Sequence, residues 1–181
     1  MNCNYFKNIS FLGLIAGVFT LTSCEADDVC MPSQAPAITV EFRYPGTTTE
    51  LEDTIFYKAY INEDVLIGQG DVRGKSSINL PIQLTEGRTI KYILQQGSTY
   101  RTKIEGSEEY IEHIAKKDSM YVNYNTDNQY DSKACGFGIY FKDANFELAS
   151  NNWIHSIETT NNTINNATTT NLYIFAEPRN D

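Results

Sequence analysis

Basic residues are scarce in this chain. Fourteen Lys and Arg stand against 23 Asp and Glu, for a formal net charge of −9 over 181 residues. Such a surface has no electrostatic footprint for a phosphate backbone and no attraction to anionic lipid heads. Nucleic-acid binding and membrane adhesion by surface charge are therefore excluded. Histidine is scarcer still, with His113 and His155 the only two. They do not form a pair at zinc spacing, and no serine sits in a nucleophile elbow. Long apolar runs are missing as well. The stretch at 11–21 covers 11 residues, whereas a helix needs about 20 to span a bilayer. Gly68, Gly70 and Gly74 lack dinucleotide-fingerprint spacing, and no helical pattern follows them. Carboxylates are so numerous that some pair always fits a glycosidase, so that signal says nothing.

What is present begins with the leader. Lys7 is its only charged side chain, an apolar region follows, and small residues precede a cysteine. Leu21-Thr22-Ser23-Cys24 resembles the lipobox of bacterial lipoproteins. The resemblance implies a signal peptide at 1–23 and a lipidated Cys24 at the new N-terminus. More than one acyl chain gives stable anchoring where a single chain does not, so the mature protein is expected to stay on its membrane. The expected site is the outer membrane, on its periplasmic or cell-surface face. Glu25-Ala26-Asp27-Asp28 resembles the surface-export signal of lipoproteins in Bacteroidota-like bacteria, and it also reads as a solvated acidic tether. Without the leader only Lys7 is lost from the charged set, and the balance moves from −9 to −10.

Four cysteines then resolve by elimination. Cys3 leaves with the signal, Cys24 is capped by lipid, and Cys30 and Cys135 remain. Beyond the inner membrane the compartment is oxidising, so two leftover cysteines read as one disulfide. Two buried free thiols are the alternative. Neither cysteine has a second one or a histidine at ligand spacing, so no metal site is expected there.

The body spans residues 37–176, between a tether at 24–36 and a tail at 177–181 that should fray. Ile38, Val40, Phe42 and Tyr44 alternate with polar residues, as do Ile55, Tyr57, Ala59 and Ile61. A period of two gives one apolar and one wet face, the mark of a half-buried strand. Similar runs follow at Ile78-Leu80-Ile82, Ile90-Tyr92-Leu94, Met120-Val122-Tyr124, Phe137-Ile139-Phe141 and 172–175. Pro81 cannot donate to a ladder, so its strand belongs at an edge. Residues 68–74 read as a glycine-marked loop, 107–117 as a short helix or irregular crossover, and 125–133 as a polar connection. The stretch 159–171 is a low-complexity Asn/Thr loop with one anchor, Ile164. The expected fold is all-β: a single antiparallel β-sandwich of about eight or nine strands, immunoglobulin-like in general architecture.

Few residues offer chemistry. His155 alternates with Trp153 and Ile157, which makes it a packing residue, and His113 lies in a charged stretch. Asn123, Asn125, Asp127, Gln129 and Asp131 put oxygens at alternate positions. A helix-loop-helix calcium loop counted from Asn125 needs Gly and Glu where Tyr130 and Gly136 stand. Twelve tyrosines are strand formers first, and exposed ones can stack on sugar rings. Asp53-Thr54-Ile55 and Asp118-Ser119-Met120 resemble the three-residue O-glycosylation acceptor of Bacteroidota-like secreted proteins. Trp153 is expected in the core with Ile157, and the Ile154 face is expected to be the wetter one.

Several pieces together resemble an uncharacterised lipoprotein family of Bacteroidota-like bacteria. They are Asp27-Asp28-Val29-Cys30, Ile38-Thr39-Val40-Glu41-Phe42, Leu80-Pro81-Ile82, Ala134-Cys135-Gly136-Phe137, Asn152-Trp153-Ile154-His155-Ser156-Ile157 and Tyr173-Ile174-Phe175. The resemblance supports a lipoprotein with one disulfide and brings no activity. The expected function is a non-catalytic, membrane-anchored module, without cofactor or metal, that binds or assists an envelope protein. The alternative is a glycan-binding surface lipoprotein.

Overall fold

The computed structural model describes residues 36–84, 89–164 and 169–179, with backbone alone at Asp131. The leader, Cys24, Cys30 and nearly all of the tether lie outside the described residues.

Alternation builds the strands. In β1 (Ala37–Arg43) Ile38, Val40 and Phe42 are fully buried, while Thr39, Glu41 and Arg43 are half-buried. β2 (Asp53–Ile61), β3 (Val65–Lys75), β4 (Ser77–Pro81) and β5 (Ile90–Gln96) follow. Then come β6 (Tyr100–Lys103), β7 (Tyr110–His113), β8 (Lys116–Ser132), β9 (Gly136–Leu148), β10 (Ile154–Thr159) and β11 (Leu172–Ala176). The described residues are all-β, with eleven strands and no helix, where eight or nine strands were expected.

They form three sheets. A four-stranded sheet has the order β10-β11-β1-β4, a five-stranded sheet β3-β2-β5-β8-β9, and a ribbon β6-β7. Pro81 closes β4 at an edge, where its missing N–H costs no ladder bond. β1 runs parallel to β11, with Val40 opposite Leu172, and antiparallel to β4.

One apolar cluster draws on both larger sheets. Ile38, Val40, Phe42, Leu172 and Ile174 come from the first, and Ile55, Tyr92, Leu94, Met120 and Val122 from the second. Two buried tyrosines keep their hydroxyls satisfied across it. Tyr92 Oη donates to Pro81 O at 2.6 Å, and Tyr124 Oη to Gln83 O at 2.6 Å. An unpaired buried hydroxyl would cost about 1–3 kcal/mol. Ile164 anchors its polar loop as expected: it is fully buried and bridges Phe141. Asn171, also buried, receives Thr39 N–H on its Oδ1 and donates Nδ2 to Thr163 O.

Three stretches expected to lie outside the sheets contain strands. The glycine stretch is part of β3, and two of its three glycines, Gly68 and Gly70, have a packing reason. A Cβ on Gly68 would sit 2.7 Å from Pro81 Cγ, and one on Gly70 would sit 2.9 Å from the Tyr57 ring. The stretch 107–117, expected as a short helix or irregular crossover, holds β7 and the start of β8 instead. Its Tyr110, Ile111, Glu112 and His113 pair with Lys103, Thr102, Arg101 and Tyr100. The polar connection at 125–133 is mostly strand too, since β8 runs to Ser132. The tail holds at two points, where Gln96 Nε2 donates to Glu177 O and Arg179 Nη2 to Ser98 O, both at 2.8 Å.

Among the described residues, Tyr130–Phe137 belongs to a different compact unit from the rest. Within it Cys135 N–H donates to Ser132 Oγ at 3.1 Å, and the rings of Tyr130 and Phe137 meet edge to face at 5.6 Å.

Candidate functional site

The face of the five-stranded sheet turned from the core carries the side chains that alternate with the buried ones. On β2 these are Phe56, Lys58 and Tyr60; on β5 they are Lys91, Ile93 and Gln95. Register sets them in rows. Asp71, Phe56, Gln95 and Lys117 line up across four strands, and Gln69, Lys58, Ile93 and Ser119 form the next row. Tyr60, Lys91 and Tyr121 make a third. A concavity of about 440 Å³ lies among Phe56, Lys58, Tyr60, Ile93, Gln95 and Lys117. Small-molecule sites occupy about 300–1,000 Å³, so the size is adequate for one.

Its charges divide into committed and uncommitted groups. Asp71 pairs with Arg73 at 2.8 Å. Lys91 lies 3.6 Å from Glu63 and 5.6 Å from the Tyr121 ring centre. The hydrogen bond with Tyr121, aided by the negative charge of Glu63, holds the Lys91 ammonium above its usual range. Lys58 and Lys117 have no ion pair among the described residues. The apolar floor of Ile93 thus lies between two free cations and two aromatic rings. The wet face of the 54–60 run already carried Phe56 and Tyr60 as its sequence signal, but the strands that would complete the site cannot be read from alternation.

Asp118 is the second constellation, and it stands one residue beyond Lys117. Its side chain is buried. Oδ1 accepts from Ser150 Oγ (2.8 Å), Asn152 N (2.7 Å) and Asn152 Nδ2 (3.0 Å). Oδ2 accepts from Trp153 N (2.8 Å) and Ile154 N (2.9 Å). Burial opposes ionisation, but the bonds from Ile154, Asn152, Trp153 and Ser150 outweigh it and hold the carboxyl below its ordinary range. The carboxylate closes the turn at 150–154 and has no open side for a substrate.

The other candidates disperse. Trp153 is buried at 3% exposure and lies 6.0 Å from Phe42 in a stacked pair. The register shifts between Ile154 and Ser156. This bulge breaks the expected parity, so Ile154 is buried beside Trp153 and His155 points to solvent. His113 stacks on Tyr100 at 4.3 Å. Neither imidazole bonds a carboxylate or hydroxyl among the described residues. Of the calcium candidates, Asn125 donates to Asp143 at 3.2 Å, and Asp127 accepts from Lys142 and from Gln129 at 3.1 Å. The bonds from Lys142 and Gln129 hold the Asp127 carboxyl low. Among the described residues no group of three His, Cys, Asp or Glu could hold a metal.

In the two acceptor-like triplets the aspartates are already engaged, Asp53 by Gln96 Nε2 at 2.8 Å and Asp118 by its turn. Thr54 and Ser119 are half-buried. Cys135 sits in the 130–137 unit, and its expected partner Cys30 lies outside the described residues.

No curated protein and no solved structure matches the chain. A family model does match residues 52–176, the stretch that carries β2 to β11 and with them the concavity and Asp118. The chain belongs to that family, a family of unknown function (DUF6452).

Proposed function

We propose that this protein is a lipoprotein anchored through Cys24 that acts as a non-catalytic binding module of the cell envelope. Its body is a β-sandwich in which the four- and five-stranded sheets share the apolar cluster, tied down by a Cys30–Cys135 disulfide. The observation that carries the binding role is the concavity on the outer face of the five-stranded sheet. A sheet face with no ligand to hold is usually covered with small polar and charged residues, whereas here Phe56, Tyr60 and Ile93 line a hollow. A catalytic role lacks support, because the carboxylate with the most hydrogen bonds, Asp118, is enclosed by its own turn.

A specific observation favours a second reading, docking to an envelope protein. The β6-β7 ribbon exposes Ile104, Tyr110, Ile111 and Ile114, the last at 74%. A two-stranded ribbon with apolar side chains in solvent has the character of a docking arm.

Crosslinking in intact cells, followed by affinity capture, tests the binding role. One photoreactive residue at Ile93 and another at Ile114 separate the two surfaces. Adducts at Ile93 support the concavity, and protein adducts at Ile114 alone transfer the role to the ribbon. No specific adduct at either refutes the binding module. The anchor is tested separately: Cys24→Ser should release the body to the soluble fraction or leave an uncleaved precursor. A cleaved, still membrane-bound variant refutes lipidation at Cys24.

A further inference from the structure

We infer that the concavity on the five-stranded sheet takes an acidic saccharide, a sugar chain bearing carboxylates of the hexuronate type. The inference rests on the binding-module reading above and names its ligand class.

Three observations lead there. The first is the floor. It is built from β2 and β5, interior strands that already spend their backbone groups on neighbours at both sides. A ligand here cannot add a strand, so an extended peptide would forgo the ladder bonds that give such peptides their affinity. Side chains alone must read the ligand. The second is the shape of the apolar contact. Ile93 lies between the rings of Phe56 and Tyr60, which are four residues apart on one strand face, roughly 13 Å at strand rise. Aromatic faces of this kind cover the C–H face of a sugar ring while its hydroxyls stay in water, and Gln69 lines the same hollow, whereas the Gln95 amide already donates to Gly97 O at 2.8 Å.

The third observation is charge. The chain carries a net −9, and an acidic body repels an acidic ligand unless positive charge is placed where it binds. Here Lys58, opposite Ile93, and Lys117, opposite Gln95, flank the Ile93–Gln95 floor from the two strands bordering β5, about 12 Å apart by strand spacing and a two-residue offset. The nearby acids are occupied, Asp71 by Arg73 and Glu63 by Lys91. The hollow is therefore a cationic spot with an apolar base on a negative molecule. A neutral sugar would leave both lysines without counter-charge.

The test uses the full mature chain in detergent, titrated with oligogalacturonate and with the same oligomer methyl-esterified, by calorimetry at low and high salt. The expected result is saturable binding of the acid form, at least tenfold weaker for the ester and weakened by salt. Lys58→Gln and Lys117→Gln should each lower affinity about fivefold to tenfold, and Phe56→Ala should lower it for acid and ester alike. Lys103→Gln, the same charge change on the β6-β7 ribbon, should leave affinity unaltered. Both lysines are exposed, so their variants should keep the parent melting curve, which removes misfolding as an explanation. Equal binding of acid and ester, or indifference to both lysine changes, overturns the acidic-saccharide assignment and leaves the binding module standing. No binding of either oligomer also overturns the assignment. The crosslinking result at Ile93 then tells whether the module reading fails with it.

Discussion

Asp118 shows what one carboxylate can hold. It receives five hydrogen bonds, three of them from consecutive backbone amides at 152–154. Asp118→Asn removes the charge and places an amide against donors. Charge-assisted bonds contribute about 1.5–3 kcal/mol each and are not additive, so the expected loss is about 2–4 kcal/mol in urea unfolding at pH 7. The pH dependence follows from the direction of the shift. The folded carboxyl lies below its unfolded value of about 3.9, so its contribution is complete above that value. It fades as pH falls through the lower folded value. Below about pH 4 the parent should therefore lose stability more steeply than Asp118→Asn, and parallel acid curves would refute this. Trp153→Ala should cost about 3–5 kcal/mol, and the native indole should emit blue-shifted light that iodide does not quench. The burial of Trp153 was legible from alternation. The exposure of His155 was not, because a bulge shifts the period by one residue and leaves no mark in composition.

At the scale of elements, alternation located the strands wherever one face is apolar: β1, β2, β4, β5 and β11 lie where the period of two put them. It failed where a strand is wet on both faces. β7 buries nothing fully, so no apolar period distinguishes it from a short helix or an irregular crossover. Glycines misdirected the reading of β3 for another reason. Gly68 and Gly70 make room for Pro81 and for the Tyr57 ring, contacts formed by residues far off in sequence. Gly68→Ala should therefore destabilise by about 1–3 kcal/mol through overpacking, although the position is neither a turn nor a cap. The ribbon also carries a prediction. Pairing with one neighbour and exposing most of its side chains, it should open at low free energy. Its amides should exchange with deuterium at least tenfold faster than those of β5, and equal protection would refute the view of it as a loose arm.

For the molecule as a whole, the all-β class was readable from the spacing of short runs. The three-sheet arrangement was not, since strand order depends on contacts that no local pattern encodes. The disulfide is a claim at this scale, because it would join residues about a hundred positions apart. Mass spectrometry of non-reduced peptides should find Cys30 linked to Cys135, and reduction should lower stability by about 2–4 kcal/mol. Two free thiols in the purified protein would refute the pairing.

The pairing of β1 with β11 reaches further. The strand made first among those described is an interior strand, and of its two neighbours one, β11, is the last of the described strands to be made. A chain that stops before Leu172 leaves β1 and β10 with bare edges carrying apolar side chains, the kind of surface that aggregates or is degraded. Closure also waits on contacts between residues such as Val40 and Leu172, which slows folding until the sequence is complete. An unfinished copy therefore cannot close this sheet, and its bare edges mark it as unfinished.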